Sequence, residues 1–479
     1  MSEFPFKSLG EWIEFLDSQG QMIMNDREVE TRNEISAISK RTVQTQGAAV
    51  LHNNVSGYPG WRVFHDGFCT RERVAWGFGL DLDNFVSNLI VKLEKTEPIK
   101  PKEVDTGPCK EVKILGDDID LTYMPIVFTG ELEGPPFITG GISNIKDPET
   151  GWINTGIRRF QIKGPRKMNN LVLPFQHEGV IFSKFIQRNE PAPIAVIIGA
   201  DPLFYLASQL PADPQVDEMD MWGSIAGEPL EVVRCETNDI VVPAHAEIII
   251  EGEMDPRERV LEGPFSEYTG YNSILRRVPV IRVKAVTMRE RPIYYHIYNG
   301  SPRSEGLTMF TAISEVVLYK QLKAITPEIV DVSLLSTAGG VTAISISRSA
   351  KKRIPGLVKR VAFAIKVIKA GAFVKNVVVV DEDIDVRDPD QVLWSMSTRF
   401  QGSKDIDIVK GYTGNFLDPS EPWGGLGPGY NAYTIFDCTE KMPPYDLSYR
   451  RGLARPSEEV FQNIVKEWGP NGFIKEEAK

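Results

Sequence analysis

Two glutamates five residues apart carry the clearest chemical signal in the chain. Glu262 and Glu267 lie in the stretch Leu261-Glu262-Gly263-Pro264-Phe265-Ser266-Glu267-Tyr268-Thr269-Gly270. Gly263, Pro264 and Gly270 rule out a regular helix there and disfavour a long central strand. Two carboxylates on a loop fixed by Gly-Pro can be held with different pKa values, one ionised and one carrying a proton, as acid–base chemistry requires. Spacing alone favours the plainer alternative, a polar turn with two solvated glutamates.

Other residues could join such a site. The chain has five histidines: His52, His65, His177, His245 and His296. A lone histidine is more often a satisfied core or surface residue than a ligand. His177 stands out because Gln176 precedes it and the apolar run Leu171 to Phe175 leads into it, which predicts a strand ending in two polar heads. His245 reads as structural, at a strand start. Asn154-Thr155-Gly156-Ile157-Arg158-Arg159 opens a predicted strand. Asn154 and Arg159 then point to opposite faces, since their separation is odd. They reach one site only if the strand begins between them or bulges, and Gly156 is the expected place. The alternative is a half-exposed strand with two surface arginines.

The elements that must position these residues follow from pattern. The 479 residues suffice for roughly two or three domains, and 42% apolar with 25% charged residues is ordinary for a globular chain. A net charge of -11 argues against general nucleic-acid or anionic-membrane binding. The basic stretch from Arg348 to Arg360 reads as a solvated loop and helix face. Met1 to Pro5 do not begin a secretory signal, and no apolar run reaches the ~18 residues that span a bilayer. Cys69, Cys109, Cys235 and Cys438 form no C-x-x-C pair, which disfavours a zinc site and fits a reducing cytoplasm. Apolar periodicity predicts helices over 8–20, 34–46, 308–325, 355–370, 389–398 and 457–468. Strands are predicted at 194–198, 246–251, 278–288 and 377–380, and the third, with a turn at 289–292 and a return through Tyr294 and His296, forms a hairpin. Residues 95–108, with three prolines, read as a linker, and 413–430 as a long Gly- and Pro-rich loop. Strand–helix alternation near the C-terminus suggests an α/β domain. The final helix docks on this chain or crosses to a neighbouring subunit.

Asn154 to Gln161, Cys235-Glu236-Thr237-Asn238-Asp239-Ile240-Val241-Val242-Pro243-Ala244, Leu261 to Gly270, and Val377 to Asp385 closely resemble the UbiD-type decarboxylase family. The resemblance runs from near the N-terminus to about residue 440. It implies a multidomain α+β and α/β chain: an N-terminal α/β segment (1–110), a central split β-barrel that binds a flavin (111–305), a connecting helix (306–326), a C-terminal α/β oligomerisation domain (327–455) and a terminal helix and tail (456–479). It further implies prenylated FMN, a divalent metal, usually manganese, and K+. The implied reaction is reversible, non-oxidative decarboxylation of an aromatic or α,β-unsaturated acid, possible aryl-CoA thioesters included, through a prenylated-FMN adduct.

Carried over residue by residue, the resemblance assigns the divalent ligands to Asn154, His177 and Glu218. Glu218, between Asp217 and Asp220, reads from spacing alone as a solvated acid. K+ would meet backbone carbonyls of Thr155, Ala207, Ser208 and Leu210, with Glu218 shared. Gly156, Ile157, Arg158, Arg159, Gln176, His177 and Pro211 would contact the cofactor, with Lys369 as a phosphate-binding lysine. Arg159, Glu262 and Glu267 would form the catalytic triad: Arg159 holding a carboxylate, Glu262 ionised beside it, Glu267 keeping a proton. The implied partners are the acid and CO2, a flavin prenyltransferase that supplies the cofactor, and further copies in a homodimer or homohexamer in the cytoplasm, with no nucleic acid or membrane. The alternatives are a carboxylase, alone or within a larger complex, and a non-catalytic binding or scaffold subunit. A carboxylate-pair hydrolase would need an aromatic-rich sugar site that the sequence does not supply.

Overall fold

The computed structural model describes residues 4–468, except 46, 96, 212–214, 336–339, 373, 416, 421–429, 442–453 and 455. The predicted loop at 413–430 therefore lies partly, and the tail beyond the last helix wholly, outside the described residues. The first helix, Leu9–Ser18, is capped by Ser8, whose Oγ accepts from Glu11 N at 3.3 Å. It buries Leu9, Trp12, Ile13 and Leu16, the stripe that predicts it. It leads into a sheet ordered Met22–Asn25, Ala49–His52, Arg62–His65 and Ile293–His296.

That last strand corrects the predicted hairpin. Ile293–His296 follows the turn after Arg276–Met288 but pairs parallel with Arg62–His65. The preceding strand has no edge to offer. Ile248–Glu262 covers one side, and Lys167–Asn170 and Val112–Leu115 cover the other. Two contacts steer the chain away: Arg62 Nη2 donates to Arg291 O at 2.6 Å, and Ile293 N donates to Glu247 Oε2 at 3.0 Å.

The centre of the molecule is a closed six-stranded barrel. Its order is Ile248–Glu262, Ala192–Ile198, Phe137–Lys146, Ile153–Gly164, Lys167–Asn170 and Arg276–Met288, which pairs back onto the first. Closure leaves the ring without free edges. Ile248–Glu262 is far longer than the predicted 246–251. Charged side chains along it pair with the neighbouring strand, Glu253 with Lys284 and Glu258 with Arg282. The pairing with Arg276–Met288 shifts twice: after Glu251, where the extra residue is Lys284 on the partner strand, and after Met254, where Ile248–Glu262 itself bulges. Gly252 permits the first, since a Cβ there would stand 2.6 Å from Arg282 O. The predicted linker is strapped down: Lys102–Glu103 pairs with Glu231–Arg234, and a Cβ on Gly107 would lie 2.5 Å from Ala244 O.

The helix Glu305–Ile325 joins two cores. Met309, Ile313 and Val316 pack into the core shared by the N-terminal segment and the barrel, while Leu318 and Leu322 enter the C-terminal one. The C-terminal sheet runs Ile329–Leu334, Val341–Ile346, Asn376–Asp381, Tyr430–Asp437, Ile406–Thr413, with its three central strands parallel. The helices Glu34–Gln44, Pro389–Arg399 and Glu458–Trp468 lie close to their predicted ranges. The predicted helix over 355–370 is shorter: Leu357–Ala364 gives way to two 3-10 turns.

Candidate active site

One barrel strand, Ile153–Gly164, acts as a ruler for the site. Odd positions from Thr155 to Gln161 face one side, and Asn154, Gly156 and Arg158 the other. Its pairing is regular through Gly156, so the predicted bulge is not there. The extra residue sits instead on the neighbouring strand, between Ile138 and Gly141, opposite Phe160 and Arg158. Gly156 has a different task. A Cβ there would stand 2.8 Å from Arg158 Nη1, so its absence makes room for that guanidinium.

On the first side, Arg159 gathers both glutamates of the Gly-Pro loop. Its Nε donates to Glu262 Oε1 at 2.6 Å and its Nη2 to Glu262 Oε2 at 3.1 Å, a two-point pairing. Its Nη1 donates to Glu267 Oε1. The guanidinium also lies over the Phe265 ring, 4.5 Å from its centroid. Glu262 is 0% exposed and Glu267 5%. The solvated-turn alternative is thereby excluded. Burial pushes the Glu267 carboxyl above the usual carboxylate range, against the opposing pull of Arg159.

On the other side, Glu218 accepts from Asn154 Nδ2 at 3.0 Å and from Thr155 N at 2.9 Å. It opens the helix Glu218–Ala226, capped by Asp217. It is buried, not solvated, and burial pushes its carboxyl up to about 8. His177 does not end a strand, as predicted; it is the first residue of the helix His177–Arg188, after Gln176. The apolar run before it is irregular because the strand stops at Asn170. The His177 ring meets the Trp152 ring edge-on at 5.1 Å, and Trp152 Nε1 donates to Val216 O at 3.0 Å, two residues before Glu218. Arg158 pairs with buried Glu178 at 2.7 Å, and Asn170 Nδ2 donates to the same carboxylate at 2.7 Å. Asp201 Oδ1 accepts from Trp222 Nε1 at 2.8 Å, which seats the helix Pro202–Ala207, and with it Ser208 and Leu210, beside the helix that begins at Glu218.

A cavity of about 330 Å³ opens between the barrel and the C-terminal domain. Ile157, Arg158, Arg159, Gln176 and Glu267 line it, as does Tyr268. Pro211 lies two residues beyond the lining residue Gln209. Lys369 is exposed, in the turn Lys369–Gly371, and does not line it. Sequence reasoning missed Thr139, Gln209, Met309, Phe310 and Asn415. Phe310 reads as part of a core-facing helical stripe. Asn415, whose Nδ2 donates to Tyr268 Oη, sits in what reads as a featureless loop. No local signal marks either residue, because the domains bring them together. Among the described residues no three His, Cys, Asp or Glu side chains converge as a metal site, and the set Asn154, His177 and Glu218 contains only two of those types.

The chain matches the family models described as the 3-octaprenyl-4-hydroxybenzoate carboxy-lyase N-terminal domain over residues 13–93, Rift-related domain over 101–302 and C-terminal domain over 307–438. It belongs to the UbiD family. Among solved structures, the UbiD-class enzyme HmfF from Pelotomaculum thermopropionicum, in complex with FMN, is 32% identical, covering 95% of this chain and 98% of its own, with a TM-score of 0.83. An evolved dimeric form of HmfF, in complex with prFMN, is 31% identical over 94% of this chain and 99% of its own, at a TM-score of 0.79. Vanillic acid decarboxylase from Sedimentibacter hydroxybenzoicus, in closed form, is 30% identical over 96% and 98%, at 0.84.

Proposed function

We propose that this chain is a carboxy-lyase that removes CO2 from an aromatic carboxylic acid with the help of prenylated FMN. The observation that carries the reading is the buried Glu262–Arg159–Glu267 constellation at the wall of the cavity. The relatives support it: one is solved with prFMN and another is a vanillic acid decarboxylase.

The residues present fit the cofactor and its ions. Ile157, Leu171, Leu173 and Met309 give the cavity apolar walls suited to a planar ring, and its size falls in the usual range for ligand sites. Gly156 leaves room for the Arg158 guanidinium, which lines the cavity. Glu218 is a buried carboxylate met by neutral donors, Asn154 Nδ2 and Thr155 N. A cation there would restore its ionised form, and Asn154 would turn its amide oxygen inward. An amide, an imidazole and a carboxylate suit a hard to borderline divalent ion, and Mn2+ is our assignment, with His177 as the third ligand. K+ would take carbonyls of Thr155, Ala207, Ser208 and Leu210. Lys369 is not carried into this set, because it is exposed and outside the cavity.

When bound, prenylated FMN supplies the electron sink that an aryl carbanion requires and no side chain provides. The chain does the rest. Arg159 has five N–H donors. Glu262 takes two and Glu267 one, which leaves two for the substrate carboxylate. Glu262 fixes the guanidinium plane. Glu267 is held by a single contact and shielded from water, so it is the member free to carry a proton to the carbon that CO2 leaves. A flavin prenyltransferase supplies the cofactor. Val460, Ile464 and Trp468 stand exposed along one stripe of the terminal helix, which supports assembly into a homo-oligomer. Among the described residues no helix is long and apolar enough to cross a membrane, and the four cysteines are free and buried, which supports a cytoplasmic setting.

Co-expression with a flavin prenyltransferase, followed by a screen of aromatic acids for CO2 release, tests the reading. A coloured protein that carries prenylated FMN and releases CO2 is expected. A colourless protein, or full activity from a host without the prenyltransferase, would remove the cofactor assignment.

A further inference from the structure

We infer that Glu133 and Gln161 are positioning residues that clamp the loop between Glu262 and Glu267 and so fix the geometry of the acid pair. The inference rests on the acid-pair reading of the site. It comes from following every backbone donor in that loop. Pro264 has none. Phe265 N donates to Ser273 Oγ at 3.1 Å and Glu267 N to Tyr271 O at 3.0 Å, both within the loop's own return. The other two leave the loop. Gly263 N donates to Gln161 Oε1 at 3.1 Å, and Ser266 N donates to Glu133 Oε1 at 3.1 Å.

Both outside partners are buried, Gln161 at 0% and Glu133 at 3% exposure. Gln161 lies two residues from Arg159 on the same side of the same strand. Its Nε2 also donates to Pro135 O at 3.1 Å. One side chain thus ties the strand that carries Arg159 to the loop that carries Glu267. Glu133 Oε2 accepts from Thr129 N at 2.8 Å, so its two oxygens bridge two backbone segments. A carboxylate gives each of the two N–H groups an acceptor oxygen of its own. Among the described residues no ion pair engages Glu133, and its two oxygens serve these backbone donors. Gly130 allows the approach, since a Cβ there would collide with Ser266 Oγ. The bond at Ser266 immediately precedes Glu267 and sets the direction from which that carboxyl meets Arg159.

The test compares Glu133→Gln, Glu133→Ala and the volume-matched Gln161→Met in the flavin-loaded enzyme. Amide hydrogen exchange over 263–267 is read beside kcat, KM and flavin content. Glutamine keeps one of the two acceptors and alanine neither, so exchange should quicken in the order wild type, Glu133→Gln, Glu133→Ala. In the same order kcat should fall, by about tenfold and then up to ~100-fold, the scale of a 1 Å misplacement, with KM and flavin content nearly unchanged. Gln161→Met should resemble Glu133→Ala, and it carries the test if the alanine variant does not fold. Loss of kcat in proportion to lost flavin would mean a merely structural role and overturn the inference. So would faster exchange with wild-type kcat, or no change in either. If the wild type itself released no CO2 the functional reading would fail, while the order of exchange rates would still decide the clamp.

Discussion

At the residue scale, the site is one cation and two acids with unequal ties. Glu262 meets Arg159 at two points and is closed to solvent; Glu267 has one contact and a carboxyl that burial keeps protonated to higher pH than usual. Glu262→Gln should therefore slow turnover by about 10²-fold through loss of Arg159 orientation, without loss of flavin. Holoenzyme kinetics with flavin counting would check this, and a parallel loss of flavin would contradict it. The proton on Glu267 also gives a sign to the pH profile. With Glu267 as the proposed proton donor, the rate should hold at low pH and fall as pH rises through its raised pKa. A rate that rose through that window would reverse the assigned role. Residue types alone left the pair open to a solvated-turn reading. The motif resemblance brought Arg159 to it, since no spacing rule links positions 159 and 262.

At the element scale, alternate side chains of the strand Ile153–Gly164 meet different partners: Arg159 pairs with Glu262 and Glu267, while Asn154 meets Glu218 and Arg158 meets Glu178. Gly156→Ala tests that division. The new Cβ would press on the far end of Arg158, a flexible side chain, and shift it from Glu178. Folding should survive nearly intact, while flavin content should fall severalfold. Unchanged flavin content would show that Arg158 does not need that space. His177→Ala should lose metal and flavin together, as metal analysis and absorption would show; retention of stoichiometric flavin would remove the ligand assignment. Elements were legible where their pattern is local. The stripe Leu9, Trp12, Ile13, Leu16 and the apolar run at 377–380 both became what they predict. The second half of Ile248–Glu262 was not legible, because its charged residues mask a strand. The pairing of Ile293–His296 was not either, since edge availability belongs to the finished barrel.

At the scale of the whole molecule, three of the five histidines are buried around one sheet. Asn25 Nδ2 meets His52 Nδ1 at 2.9 Å, His52 Nε2 meets His65 Nε2 at 3.0 Å, and His65 Nδ1 meets Asp66 at 2.8 Å. His296 Nδ1 meets Thr139 Oγ1 at 2.9 Å. Burial pushes His52 and His296 down to about 3. The unfolded chain takes up these protons below pH 6.5 while the folded chain does not until near 3. Each histidine thus contributes stability that is complete above 6.5 and is lost as pH falls, by up to ~1.4 kcal/mol per pH unit. Buried Asp201, pushed up to about 7, works in the opposite direction, so the term is read as a difference. The urea midpoint of His296→Gln should fall less than that of the wild type between pH 6.5 and 5. Equal slopes would mean that His296 takes up its proton over the same pH range folded as unfolded. Phe310 and Asn415 belong to this scale too. They reach the cavity only after the C-terminal domain closes on the barrel, which no sequence window contains.

The most direct test of the account is single-turnover CO2 release by Glu267→Gln in the flavin- and metal-loaded enzyme. Glutamine keeps the shape and a hydrogen bond to Arg159 but has no proton to give. The account predicts full flavin and metal content and product formation slowed by ~10²- to 10⁴-fold, the usual contribution of a general acid. Product formation at the wild-type rate would pass the proton to water or another group and contradict the central claim.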